Sequence, residues 1–137
     1  METATQQQKV SAISVKKTLI AGSLAGIISV IVSNLLAWGI MSANDYQFEM
    51  LNGFSITLSA FFVNLIGAFI FRFIQKKSKR AIMYYAILSV VMAILMSINT
   101  STNPMEPNIA AVANPLHYLV AILSLVLIPL FMKRGQS

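Results

Sequence analysis

The sequence predicts an all-α integral membrane protein, a four-helix bundle with both termini in the cytosol. Three observations predict it. The chain of 137 residues is 57% hydrophobic and only 10% charged, against roughly half apolar and about a quarter charged for a soluble domain. Its apolar residues fall into four runs, each close to the roughly 20 residues that a helix needs to cross a bilayer. Its cations lie between, outside or at the ends of those runs. Four crossings and short loops use the whole length, so one bundle is expected and no separate soluble domain.

Residues Met1 to Ser14 are polar, include the run Gln6-Gln7-Gln8, and read as a mobile or interfacial tail. Lys16 and Lys17 precede the first span, 18–41. A signal peptide also begins with positive charge before an apolar run. Its apolar core is typically 7–15 residues, however, and this run is about 23, so an uncleaved helix is expected. The loop 42–52 carries Asp45 and Glu49 and no cation. The second span, 53–74, leads into the turn from Arg72 to Arg80, which holds five of the ten basic residues. The turn is short, which predicts that the second and third helices are antiparallel neighbours. The third span is 81–98. Asn99 to Pro104, followed by Glu106 and Pro107, cluster the residue types of an irregular loop.

The fourth span is 109–132, closed by Lys133 and Arg134. Its start has two readings. Asn114-Pro115 fits an N-cap followed by proline at the first helical position, which sets His117 in the first turn, at the interface. Alternatively the helix begins near Asn108, Pro115 kinks it, and His117 lies roughly 13 Å deep. The cap reading is preferred. Pro129 removes a backbone donor near the other end and predicts a local kink.

With four spans, every one of the ten cations falls on one side, and three of the four acids fall on the other. Lysine and arginine in short loops stay cytosolic, so both termini are expected there. The expected partners are the bilayer and its anionic headgroups, met at Lys16, Lys17, Arg72, Lys76, Lys77, Lys79 and Arg80. Arg72, near a helix end, can snorkel to the interface. The net charge of +6 comes with no base-reading motif, so no nucleic acid is expected. The chain has no cysteine, which excludes disulfides, iron–sulfur clusters and thiolate catalysis. One histidine with no second ligand of its kind predicts no metal, and no cofactor is expected. Tyr84 and Tyr85 at the inner end, with Trp38 and Tyr118 at the outer end, fit aromatic belts.

No Asp, Glu, Lys or Arg lies deep within a span. Proton-coupled carriers place a carboxylate or similar relay at that depth. The absence argues against the small four-helix multidrug exporters, which rely on a buried glutamate. The first helix instead carries Gly22, Gly26, Ser29 and Ser33 within roughly 60° of one another. Glycines four apart let helix backbones approach closely, so these residues are candidates for helix packing, within the chain in preference to a dimer seam. Thr57, Ala60, Asn64 and Ala68 make a similar stripe on the second helix. Ala86, Ser89 and Ala93 do so on the third, and His117, Ala121 and Ser124 on the fourth. All four stripes are expected to face inward. Asn34, Asn64, Asn114 and His117 are the candidate ligand-binding residues. They either join helices by hydrogen bonds or line a small polar pocket open to the outside. Asn34 lies roughly 10 Å from the outer end of its helix, and Asn64 lies near the midplane.

The run from Thr57 to Phe69, with Asn64 and Gly67, resembles the second helix of small four-span fluoride channels. That resemblance covers about one helix. The first helix lacks the family's glycine-rich run ending in arginine, the third lacks its ion track, and the charge bias conflicts with antiparallel dimers. Over most of its length the chain resembles small four-span bacterial membrane proteins that form a domain of unknown function. The residues that carry this are Asn34 to Trp38, the basic turn, Pro115-Leu116-His117-Tyr118-Leu119-Val120-Ala121, and the late Pro129. This resemblance implies the four-helix fold and a domain of unknown function, and supplies no activity and no binding residues.

The functional expectation is a non-catalytic membrane protein acting as a packing or accessory partner, to a second copy or to another membrane protein. The alternative is a binder or transporter of a small neutral or weakly polar molecule. An enzyme is not expected, because one histidine and no intramembrane acid leave no nucleophile–base pair.

Overall fold

The computed structural model describes the backbone of residues 2–134 and the side chains of residues 15–133. It holds four helices: α1 (Glu2–Asn44), α2 (Gly53–Lys77), α3 (Ala81–Thr102) and α4 (Ala110–Arg134). The segments Val15–Asn44, Gly53–Lys77, Ala81–Thr102 and Ala110–Lys133 are each long and apolar enough to cross a membrane. Large apolar side chains point out of the bundle along all four, among them Leu35, Ile66, Leu95 and Ile122. Soluble monomers rarely expose so much continuous apolar surface, whereas lipid tails accept it without cost.

Three boundaries differ from the sequence reading. The backbone of residues 2–14 continues α1, so the expected tail is helical. Its glutamines, alanines and lysine are good helix formers, and no glycine or proline interrupts them. Residues Asn99 to Thr102 belong to α3 and not to the loop. Thr100 Oγ1 donates to Met96 O at 2.9 Å and Thr102 Oγ1 to Ile98 O at 2.8 Å, so these hydroxyls bond back along a helix and make no turn. The third boundary is the start of α4. Asn114 is no cap, and Pro115 lies inside the helix. The chain turns at Asn108, whose φ is 66°, and Ala111 and Val112 N–H bond to Asn108 and Ile109 carbonyls at 3.1 Å each. Ile109, Val112, Ala113 and Leu116 are buried, and their burial outweighs the cap signal. Pro115 costs one bond, to the carbonyl of Ala111, an exposed residue in the first turn. His117 therefore lies about two turns into α4, roughly 10 Å from its start, and not in the first turn.

The helices pair α1 with α2 and α3 with α4, and α1 also packs along α4. The basic turn makes α2 and α3 neighbours, but they touch lightly, and α1 and α3 do not meet among the described residues. The buried face of α1 is made of Thr18, Ala21, Gly22, Ala25, Gly26, Ser29, Ser33 and Ala37. It closes on α2. A Cβ on Gly22 would stand 3.0 Å from Ala68 Cβ and 3.0 Å from Leu65 Cα. One on Gly26 would stand 2.8 Å from Phe61 Cδ2 and 3.1 Å from the Phe61 carbonyl. Gly39, off this face, has nothing within 4 Å.

Two apolar clusters lie at the two ends. The one at the basic end joins Ala21, Ala25, Ala68, Phe71, Ala81, Tyr85, Ile128 and Met132. The one at the acidic end joins Ala37, Ile56, Val112 and Leu116, with Tyr46 and Phe48 of the α1–α2 loop folded onto it. At that end Asn52 caps α2: its side chain accepts from Ser55 N–H at 2.9 Å, and Ser55 Oγ accepts from Asn52 N–H at 3.0 Å. Glu106 of the α3–α4 loop reaches across, its two carboxylate oxygens accepting from the N–H groups of Glu49 at 2.8 Å and Met50 at 2.9 Å. The outer loops are thereby tied together.

Gly26→Val and Gly22→Val should each lower stability in detergent by about 1–3 kcal/mol through overpacking against α2. Gly39→Ala should leave it unchanged or raise it by up to about 1 kcal/mol through helix propensity. Thermal melts of the purified variants check the order; a Gly39→Ala loss equal to the other two contradicts the seam.

Candidate functional site

Each intramembrane polar residue lies on a helix, so its direction follows from that helix's packing. Asn34 is half-buried on α1. Its Nδ2 donates to Val30 O at 2.8 Å and to Thr57 Oγ1 of α2 at 3.1 Å. Asn114 and His117 look toward α3: Asn114 Nδ2 donates to Ser101 Oγ at 3.0 Å, and His117 Nδ1 lies 3.4 Å from Ser97 Oγ. Asn64 is fully buried on α2 and donates to its own Ala60 carbonyl at 2.7 Å. The four candidate ligand residues thus separate into an α1–α2 pair, two α3–α4 pairs and one solitary core residue. No hydrogen bond joins them to one another among the described residues.

The deepest helix-to-helix bond lies elsewhere. Tyr85 OH and Ser124 Oγ are 2.5 Å apart, linking α3 and α4. Gly67 makes room for the pair, since a Cβ there would run into the Tyr85 hydroxyl and stand 3.3 Å from Ser124 Oγ. The Tyr85 ring also meets Phe71 edge-on at 5.3 Å. This overturns the aromatic-belt expectation for Tyr85, which is only 3% exposed. Tyr84, Trp38 and Tyr118 are exposed, as a belt requires. Sequence carried one usable signal: Gly67 and Ser124 are small residues that leave space for a ring between helices.

Ser97 and His117 form the one hydroxyl–imidazole pair in the described spans. At 3.4 Å the contact is long, and no carboxylate hydrogen-bonds to the imidazole among the described residues. A nucleophile, a base and an orienting group are needed for acyl transfer, and this pair supplies at most two. Its geometry is that of a fastener between α3 and α4.

Gly22, Gly26, Ser29 and Ser33 all lie on the buried face of α1. The glycines are consumed by contact with α2 inside the chain. The serines differ. Ser29 Oγ and Ser33 Oγ are buried with no hydrogen-bond partner, as are Asn64 Oδ1 and Asn114 Oδ1. On the exposed side of α1 and α2 a groove of about 360 Å³ is lined by Thr57, the partner of Asn34, and by Ile27, Val30, Ile31, Leu58, Phe61 and Phe62. None of the candidate residues lines it. No protein-family model, no curated protein and no solved structure matches this chain. Its chemistry is therefore argued from its own residues.

A double-mutant cycle on Tyr85→Phe and Ser124→Ala should give a coupling near the roughly 0.6 kcal/mol average for intramembrane hydrogen bonds, at most about 1.7 kcal/mol. The cycle on Ser97→Ala and His117→Ala should give less, because its contact is longer. Unfolding in mixed micelles measures both. Additive losses at Tyr85 and Ser124 contradict the bond.

Proposed function

We propose that this chain is a non-catalytic multi-pass protein of the bacterial cell membrane, acting as a packing or accessory component of a membrane assembly. One observation carries the reading: the polar side chains of the spans are spent mainly on fastening helix to helix. Asn34–Thr57, Tyr85–Ser124, Ser97–His117 and Ser101–Asn114 each join two elements of the bundle. A transport path would need such groups free to meet a substrate.

Orientation is part of the proposal. Lys16, Lys17, Lys76, Lys77, Lys79, Arg80 and Lys133 gather at one end of the bundle, while Asp45, Glu49 and Glu106 gather at the other. The basic end faces the cytosol, with anionic headgroups around it. Lys77 Nζ lies 4.5 Å above the Phe73 ring, so its stem runs along the helix while its charge stays at the surface.

A second reading has its own observation. Asn64 Oδ1 is an acceptor with no donor at the core of the bundle. A buried amide oxygen of this kind marks a place where a small neutral molecule binds.

Blue-native electrophoresis of mildly solubilised membranes should show the chain in a species well above its 15.0 kDa monomer. A strictly monomeric band contradicts the accessory reading. Separately, a Ser78→Cys variant should react with a membrane-impermeant thiol reagent in inside-out vesicles and stay unlabelled in intact cells. Labelling from outside contradicts the orientation.

A further inference from the structure

The second reading leaves open where such a molecule binds. We propose that Ser29, Ser33 and Asn64 form a buried site for a small uncharged hydrogen-bond donor: water, or an amide or alcohol little larger. The proposal rests on that reading and moves its site from the outer polar pairs to the centre of the bundle.

The argument starts with Asn64. Its exposure is 0%, and one amide N–H is used on Ala60 O. Its Oδ1 needs a donor. Within a helix every N–H past the first turn is already bonded, so α2 has none to give. Turning the amide over leaves the nitrogen orphaned instead. Leaving the oxygen unpaired in an apolar interior is unfavourable. The donor must come from outside the helix.

Ser29 and Ser33 add two buried hydroxyls, each able to donate and to accept. They are 0% and 1% exposed, and neither hydroxyl has a partner. Gly22 facing Leu65 and Ala68, Gly26 facing Phe61, and Asn34 facing Thr57 set the register of α1 on α2. That register puts Asn64 level with Ala25. Ser29 then lies about one turn, roughly 6 Å, further out, and Ser33 one turn beyond it. Asn34 and Thr57 stand at the outer end of the file.

The same residues limit the ligand. Among the described residues the buried side chains with polar atoms are Thr18, Ser29, Ser33, Asn64, Tyr85, Ser97 and Ser124, none of them charged. An ion there would have no counter-charge, so the ligand is neutral. Asn64 Oδ1 only accepts, so the ligand donates. The contacts at Gly22 and Gly26 keep the α1–α2 seam tight, so the ligand is small.

The chain has no cysteine, so single cysteines report without background. Ser29→Cys and Ser33→Cys are close to isosteric and should fold. In lipid vesicles each variant is treated with methyl methanethiosulfonate, a small neutral reagent that needs a thiolate and hence water. Ile31→Cys, on the lipid face, and Ser42→Cys, at the outer end of α1, are the controls. The site predicts modification of Ser33→Cys and Ser29→Cys at least tenfold faster than of Ile31→Cys, slowed when Asn64→Leu is added. Urea below denaturing concentration is the competitor. Slowing of Ser29→Cys by urea assigns the amide-sized end of the class, and no slowing assigns water, either result keeping the site. Rates no faster than that of Ile31→Cys, with Ser42→Cys reactive, overturn it. If His117→Cys reacts in that case, a binding role survives at the α3–α4 pairs without this site. If it does not, the binding reading falls as well.

Discussion

Lipid offers no hydrogen bonds, and on the proposed membrane reading the rest of this structure answers to that constraint. Backbone groups in hydrocarbon must be satisfied within their own segment, so the spans are helices. Side-chain polar groups face the same requirement. They turn toward other helices, while leucine, isoleucine, valine and phenylalanine are left to the tails. With water absent on both sides of a helix, burial of apolar area no longer drives association. Close packing and polar contacts do it instead. That is why α1 meets α2 along glycine, alanine and serine and not along large apolar side chains.

The bundle is held differently at each level. At the basic end, Phe71, Tyr85, Ile128 and Met132 fill the space between helices. Tyr85 belongs there because its ring is apolar and its hydroxyl finds Ser124. At the acidic end the loops do the work: Tyr46 and Phe48 cover the outer cluster, and Glu106 holds the backbone of Glu49 and Met50. Between them lies the stretch where small residues dominate and Ser29 Oγ, Ser33 Oγ and Asn64 Oδ1 have no hydrogen-bond partner. Such a bundle is well packed at its ends, and its unpartnered polar atoms lie mainly between them.

Much of the fold was legible because four long apolar runs have few alternatives, and because small residues on one face of α1 repeat at helical spacing. Gly22, Gly26, Ser29 and Ser33 lie on the buried face for that reason. The misreadings share a cause. Asn114-Pro115 has the local form of a helix start, but Ile109 and Val112 gain more by burial in a helix that begins earlier. Thr100 and Thr102 carry the composition of a loop, yet in a helix near the interface their hydroxyls bond to carbonyls behind them. Tyr85 sits at the depth of an aromatic belt, and only the gap left by Gly67 draws it inward. Partnerships were the least legible part. Asn34 with Thr57 and His117 with Ser97 depend on the register between helices, which no single helix encodes. For the same reason Asn64 could be placed near the midplane from sequence, while its lack of a donor could not be seen.

Backbone hydrogen exchange of the chain in lipid nanodiscs tests the central claim most directly, because it reads whether four segments are shielded from water by their own bonds and by lipid. The account predicts slow exchange through the interiors of all four helices, including Ala93 to Ile98 of α3 and Leu119 to Ile128 of α4. It predicts fast exchange at 45–51 and 103–108. If any one of the four interiors exchanges as fast as those loops, the chain does not cross the membrane four times.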